Sequence, residues 1–299
     1  MEKSPILIVM SYIFEVQCCL FFGFHVGGDG GAIRVYGTDS GLKCKKCVFM
    51  ECTASSQYGA IYFSDIASEG MISQCLFYNC DSGAEHAIGG ITALRPTVEL
   101  VSINLCGNLC PNVVFALRRG IQVLANSNST NTYATHHSGF HLSESDVIAK
   151  VKYVHVGNHR NCQFNYGFYG PSSDANSSYV NIVNNTASIG LVYLYATDNH
   201  LLINYIFSKN SGCVTSNNGG WPGTCSLINC CFYESSCSRG NYMITMVNPK
   251  FSTSPPTYEA YLYSQPVCSG VFSDCPTIHQ SMKSFNGYLL FVSFFTMEL

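Results

Sequence analysis

The sequence predicts an all-β fold, a parallel β-helix of about nine coils with irregular caps at both ends. Three observations support this prediction. An apolar residue returns every 25 to 28 positions, short β-branched and aromatic segments alternate with Gly, Asn, Asp and Ser clusters, and no sustained helical period is present. A fixed period of this length indicates a repeat architecture.

The repeat is clearest in "CVFMEC" at residues 47–52, whose centre is Phe49. The step from Ile103 to Val156 is twice the usual one, so one coil between them has no recognisable apolar centre. The other centres are Phe21, Phe77, Ile182, Phe207 and Phe232. Flanking positions keep the same register: they include Cys19, Cys47 and Cys75 two residues before a centre, and Cys52, Cys80, Cys106, Asn185 and Asn210 three residues after.

The length of the repeat distinguishes between solenoid classes. Helical repeats have units of about 33–47 residues and a propeller blade needs roughly 40, whereas 25 to 28 residues suit three short strands and three turns. Each coil then rises by one strand spacing, ~4.8 Å, and equivalent residues stack on each other. We therefore expect Phe21, Phe49 and Phe77 to form one inward stack.

The chain has 17 cysteines, an odd number. Equivalent cysteines of adjacent coils have parallel Cβ vectors, which keeps their sulfurs too far apart for an unstrained disulfide. A free thiol behaves as a small apolar side chain. We therefore expect most column cysteines to be free, and the Asn residues that replace them in later coils to pass amide hydrogen bonds along the rod. The Gly of the repeated "GAI" is expected in a tight turn.

The regular pattern divides the chain into segments. Residues 1–15 are predicted to be an N-terminal cap or a weak signal segment, because Glu2 offsets Lys3 and no small-residue cleavage site follows. Residues 16–240 are predicted to form the β-helix, with an irregular polar loop at about 112–150. The period fades after Ser235, so residues 241–299 are predicted to be a C-terminal cap and tail.

Charge and hydropathy argue against nucleic acid binding and against a membrane-spanning helix. The net charge is -3, charged residues are only 11% of the chain, and no dense basic run is present, so nucleic acid is not expected as a partner. No segment approaches the ~20 apolar residues that a transmembrane helix requires. We therefore expect no transmembrane helix, while the oligomeric state is not determined by the sequence.

The segments "CVFMECTASSQYGAI", "GGDGGAI" and "VNIVNNTASIGLVYLY" resemble the repeats of polymorphic outer-membrane proteins and of β-helix surface proteins in parasitic protists. The resemblance covers about residues 16–237 and is strongest in 16–91. It implies a right-handed, pectin-lyase-like β-helix that is displayed at a cell surface or secreted and that acts in adhesion. The chain departs from that family because it has neither a clear signal peptide nor a membrane anchor.

No catalytic constellation is apparent. The pectin-lyase-like fold also carries polysaccharide lyases and glycoside hydrolases, but hydrolysis requires paired carboxylates, and none of the eight Asp residues is adjacent to another. Asp198 stands near His200, where a turn explains the pattern better than a site. The sequence therefore predicts a non-enzymatic scaffold that binds a glycan or a protein. The alternative is a divergent carbohydrate-active enzyme with its site where the 112–150 loop meets a lateral groove.

Metal and cofactor sites are not predicted either. Cys44 and Cys47 have the spacing of zinc ligands, but Cys47 and Cys52 belong to the repeat and no matching second pair follows. The three histidines of "THHSGFH", His136, His137 and His141, are predicted to lie in a solvated loop. Three glycosylation sequons begin at Asn128, Asn176 and Asn184, and they matter if the chain is secreted.

Overall fold

A computed structural model shows that the chain forms a parallel β-solenoid, and it contains no helix among the residues that it describes. The predicted fold class is thereby confirmed. The described residues are 6–8, 13–37, 39–84, 86–107, 112–144, 149–169, 176–195, 199–216, 224–235 and 243–255.

Each coil has three faces, called face 1, face 2 and face 3 in chain order. Face 1 consists of β1 (Ile6–Ile8), β5 (Ile33–Tyr36), the first parts of β9 (Ile61–Ser73) and β12 (His86–Glu99), β14 (Val113–Arg118), β16 (His137–Ser143), β18 (Cys162–Tyr169), β20 (Ala187–Tyr195) and β23 (Thr215–Ser216). Face 2 consists of β2 (Ile13–Gln17), β6 (Gly41–Lys45), the second parts of β9 and β12, the first parts of β15 (Val123–Thr130), β17 (Lys150–Gly157) and β19 (Asn176–Val183), and β21 (Asn199–Ile203), β24 (Thr224–Ile228) and β26 (Met243–Val247).

Face 3 consists of β3 (Leu20–Phe22), β7 (Val48–Met50), β10 (Leu76–Tyr78), β13 (Ser102–Asn104), the second parts of β15, β17 and β19, and β22 (Ile206–Ser208), β25 (Cys231–Tyr233) and β27 (Lys250–Ser252). A short separate sheet follows face 3 in the first coils and consists of β4 (His25–Val26), β8 (Thr53–Ala54) and β11 (Asp81–Ser82). Every strand pair recorded between coils is parallel.

About seven coils are complete, slightly fewer than the nine that the sequence predicts. These coils run from Ile33 to Ser208 and have a strand of three or more residues on every face. Partial coils extend the ladders at both ends. β1 and the first three residues of β2 lie in the segment predicted as an N-terminal cap, and the two strands pair with β5 and β6. β26 and β27, in the predicted C-terminal cap, pair with β24 and β25, while residues 256–299 lie outside the described residues.

The apolar centres of the repeat form one column on face 3. Phe21 pairs with Phe49 and Phe49 with Phe77, and the ring centroids are 4.7 and 4.9 Å apart in nearly parallel stacks. This confirms the predicted aromatic stack. The centre missing from the sequence pattern is Ser129, which pairs with Ile103 on one side and Val156 on the other.

Two columns of left-handed residues form the corners on either side of face 3. Their φ angles lie between 47° and 63°, a region that costs most L-residues about 1–2 kcal/mol but that Asn and Gly adopt more readily. Asn therefore recurs in both columns. The first column is Cys18, Lys46, Gln74, Leu100, Asn126, Tyr153, Tyr179, Asn204, Asn229 and Asn248, and the second is Gly23, Glu51, Asn79, Leu105, Asn131, Asn158, Asn184, Lys209 and Glu234.

The predicted Asn ladder is present, but its hydrogen bonds differ from the expected amide-to-amide pattern. The backbone N–H of Asn185 donates to Asn210 Oδ1 at 3.0 Å, and the backbone N–H of His159 donates to Asn185 Oδ1 at 2.8 Å. Asn185 Nδ2 donates to the Val156 carbonyl at 2.9 Å. The amides point inward beside a corner, where buried backbone groups need partners, so they satisfy the backbone instead of each other.

The column cysteines are free thiols, as predicted. Cys19, Cys47 and Cys75 precede face 3, and Cys52 and Cys80 follow it with no disulfide. Their neighbour Cys18, at the left-handed corner, is disulfide-bonded.

The prediction of an irregular loop at about 112–150 is wrong. The segment contains three strands, β14, β15 and β16, that pair in register with their neighbours, although residues 145–148 lie outside the described part of the chain. Its polar character misled the prediction because small hydroxyl side chains face inward here and bond to one another. Ser129, Thr132 and Ser138 are all buried around the ring of His159.

The glycines of "GAI" do not take positive φ angles, contrary to the expected tight turn. A Cβ on Gly31 would overlap the carbonyl oxygen of Gly59, and a Cβ on Gly59 would overlap the carbonyl oxygens of Asp81 and Ala87. Close approach of successive coils therefore requires glycine at these positions. Because the described residues form no helix, they include no helical segment that could span a membrane.

Candidate functional site

The outer side of face 1 carries a cluster of basic and aromatic side chains. Strand alternation places residues such as Phe115 and Phe140 inward, and the positions that follow them point outward. One outward column runs through Gly90, Ala116, His141, Gly167 and Tyr193 in strict register. We call the site the face 1 cluster, and its members are Tyr58, Tyr62, His86, Arg118, His137, His141, Phe164 and Tyr193.

The small residues of the outward column leave room for rings that lie over the sheet. A Cβ on Gly90 would overlap the ring of Tyr58. A Cβ on Gly167 would lie 2.8 Å from the imidazole of His137. Because Gly90 and Gly167 have no side chain, the rings of Tyr58 and His137 can lie flat against the strands at these positions.

The rings of the cluster form two stacks. Tyr58 lies between Tyr62 and His86, at centroid distances of 4.6 and 4.7 Å. His137 stacks on His141 at 4.2 Å and on Phe164 at 5.3 Å. Most of these side chains are buried, so the two stacks are rigid and are shielded from water.

Arg118 links the first stack to the next coil. Its Nη2 donates to His86 Nε2 at 3.1 Å, and because a guanidinium only donates, His86 accepts there and is neutral. Burial and the charge of Arg118, with a smaller effect of His137, lower the pKa of His86 to about 3. Burial and the same arginine lower the pKa of His141 to about 3. Burial also lowers the pKa of His137. All three imidazoles are therefore neutral near pH 7.

Several buried polar atoms of this region have no hydrogen-bond partner among the described residues. They are both ring nitrogens of His137, Nε of Arg118 and Oγ of Ser143, which lies opposite Arg118 in the ladder. An unsatisfied buried group costs about 1–3 kcal/mol, so such atoms in a cluster mark a candidate binding site.

One edge of the cluster reaches solvent through Arg34 and Tyr36. The guanidinium carbon of Arg34 lies 5.1 Å from the ring centre of Tyr36 and 6.0 Å from that of Tyr62. Arg34 also lies 3.8 Å from the carboxylate of Asp29. Tyr36 is 37% exposed. A continuous row of side chains thus leads from an accessible Arg and Tyr pair to the buried imidazoles.

The histidines of "THHSGFH" are not in a solvated loop, as the sequence predicted. His137 and His141 are buried on β16, and only His136 is exposed. The error arose because a segment with three histidines among Ser and Gly has the composition of a polar loop. In the strand, two of these histidines are buried against neighbouring rings. His86 and Arg118 had no signal in the sequence, since they are 32 residues apart and share no motif.

The remaining predicted positions are dispersed. Asp198 lies outside the described residues, and His200 is buried on β21. Of the sequons, Asn184 is exposed at a left-handed corner, Asn128 accepts a hydrogen bond from Ser102 Oγ at 2.8 Å, and the side chain of Asn176 is outside the described part. Glycosylation at these positions stays a prediction.

Comparison of the chain with protein-family models, with curated proteins and with solved structures gives no match.

Proposed function

We propose that the protein is a non-catalytic β-helix scaffold, secreted or displayed at a cell surface, that binds an acidic glycan on the outer side of face 1. The observation that carries the proposal is the row of side chains from Arg34 and Tyr36 through Tyr62 and Tyr58 to His86. It joins a partly exposed cation and the exposed ring of Tyr36 to a rigid stack of buried rings behind them.

The chemistry of the row matches a sugar that bears carboxylate or sulfate groups. Phenol rings have apolar faces against which the C–H face of a sugar ring packs, and a polar end that stays in water. The guanidinium of Arg34 suits a planar, bidentate bond to an acidic group.

Binding of a panel of neutral, carboxylated and sulfated polysaccharides to the full chain tests this proposal. We expect acidic members to bind, and Arg34→Gln to weaken binding by at least about tenfold, the effect of about 1.4 kcal/mol. Lys152→Gln is the matched control, because Lys152 lies over two stacked tyrosines, Tyr153 and Tyr179, on another part of the rod. Absence of binding, or equal losses in the two variants, would contradict the proposal.

The alternative function, a divergent carbohydrate-active enzyme, is favoured by one observation. His137 is a neutral, buried imidazole with two unpartnered nitrogens, and groups with shifted pKa values concentrate at active sites. The cluster as described contains no carboxylate, whereas glycoside hydrolysis uses two. Release of reducing or unsaturated ends from the same polysaccharides, lost in His137→Gln, would establish the enzyme and refute a non-catalytic scaffold.

A further inference from the structure

Three cysteines of the solenoid core converge at one point inside the rod. The sulfurs of Cys44, Cys47 and Cys75 all lie within 4.8 Å of one another, and the Sγ atoms of Cys44 and Cys75 are 3.8 Å apart. All three side chains are buried, with at most 1% of their surface exposed.

Two different columns supply these cysteines. Cys47 and Cys75 occupy the same position in successive coils, just after the left-handed corner residues Lys46 and Gln74. Cys44 comes from β6 on face 2. In the neighbouring coils, the position equivalent to Cys44 is held by larger aliphatic residues. They are Val16 in the preceding coil and Ile72, Val98 and Leu124 in the coils that follow.

The meeting of two columns, and not the packing of each thiol, distinguishes this group. Cys47 and Cys75 bond to the carbonyl two residues before them, at 3.3 and 3.2 Å, as Cys52, Cys80 and Cys106 do at 3.2 to 3.5 Å. Among the described residues, no thiol from a second column joins the column of Cys52, Cys80 and Cys106. Cys44 is different, because a thiol replaces an aliphatic side chain at the point where it meets two others.

We propose that Cys44, Cys47 and Cys75 form a binding site for a soft, thiophilic metal ion, Cu(I). Thiolate sulfur selects such ions. Two sulfurs bound to one tetrahedral zinc ion at about 2.3 Å would lie about 3.8 Å apart, so the Cys44–Cys75 separation already has the scale of a shared metal.

Three sulfurs suit Cu(I) better than Zn²⁺. A structural zinc site requires four ligands. The next thiol in the column, Cys19, is two strand spacings from Cys75, ~9.6 Å, and lies on the far side of Cys47. It therefore cannot complete a tetrahedron with the other three, whereas three-sulfur coordination needs no further ligand. Binding transfers the protons of the coordinating thiols to water and changes no oxidation state.

The site is enclosed, so the ion must enter while the chain folds. The test is to refold the full chain without oxygen in the presence of a reductant, with Cu(I) in one arm and Zn²⁺ in the other. After removal of loosely held metal, we expect one copper per chain with three sulfur neighbours by X-ray absorption, and no retained zinc.

Two matched variants separate the site from ordinary packing. Cys44→Val, which repeats the residue found at Val16 in the same column, should fold but lose the copper. Cys80→Val, in the column without a converging thiol, should keep it. Retention of copper by Cys44→Val, equal loss in both variants, preference for zinc, or a Cys44–Cys75 disulfide under these conditions would each overturn the proposal. Because these cysteines lie inside the rod, the outcome is independent of glycan binding on face 1.

Discussion

At the residue scale, His159 shows how the solenoid accepts a polar group in its core. It occupies a column position that later coils fill with Asn185 and Asn210, and it is completely buried. Its Nδ1 accepts from Ser138 Oγ at 2.8 Å, and its Nε2–H donates to the Ser129 carbonyl at 3.0 Å. Both nitrogens are thus satisfied with the ring neutral.

This arrangement predicts loss of stability in acid. Burial lowers the pKa of His159 to about 3, below its usual 6.5. Between these values the unfolded chain binds more protons than the folded chain, so the stabilisation is complete above pH 6.5 and falls as pH decreases toward 3. The slope for one such histidine is about 1.4 kcal/mol per pH unit.

Urea unfolding at several pH values measures this slope. His159→Asn, which installs the residue of the later coils, should reduce the slope by the contribution of one histidine, even if stability at pH 7 changes. Replacement of the exposed His25 by Asn serves as the control for removing a histidine that is not buried. An unchanged slope in His159→Asn would show that this ring does not carry the effect.

At the element scale, the aromatic column of face 3 stabilises each coil against the next. Phe49 is completely buried between Phe21 and Phe77. Phe251 is the last ring of the column within the described residues, stacks there on Phe232 only, and is 65% exposed. We expect Phe49→Ala to lower the free energy of unfolding by about 3–5 kcal/mol because it leaves a cavity.

Chemical denaturation of both variants tests the column. Phe251→Ala should cost less than about 1 kcal/mol, since it creates no enclosed cavity. Similar losses for the two variants would mean that the position in the column is not what determines the stability.

The contact between coils at the "GAI" repeat gives a second prediction at this scale. Gly59→Ala would force a Cβ into the carbonyl oxygens of Asp81 and Ala87, so we expect a destabilisation above about 4 kcal/mol or failure to fold. A Cβ on Gly28 meets nothing within 4 Å, and Gly28→Ala should be nearly neutral. Soluble yield and the thermal midpoint distinguish these outcomes; a well-folded Gly59→Ala protein would refute the close approach.

At the scale of the whole molecule, the sulfurs of the core should be hidden but not oxidised. Burial, with smaller effects of neighbouring thiols, raises the pKa of Cys52 and Cys80, so both stay protonated and unreactive in the folded rod. A thiol reagent should therefore modify many more cysteines after denaturation without reductant than before. If denaturation exposes no additional thiols, the column cysteines are paired.

The coil repeat could be predicted from the sequence, whereas the face 1 cluster could not. Stacked coils force equivalent positions into contact, so Phe21, Phe49 and Phe77 recur at a visible interval. Ser129 escaped prediction because a hydrogen-bonded polar core has no apolar period. The face 1 cluster escaped it for another reason: its side chains come from several coils and are brought together only by the register of the ladder.

The parallel ladder also determines how the molecule responds to force. The hydrogen bonds between coils point along the rod, so tension along its axis loads every coil boundary equally, and at each boundary the bonds of all three faces share the load. A coil of 25 to 28 residues occupies ~4.8 Å of the rod but spans about 90 Å when pulled out. Once a boundary at the end of the rod breaks, its coil detaches as a unit, so extension under tension proceeds in steps of about one coil.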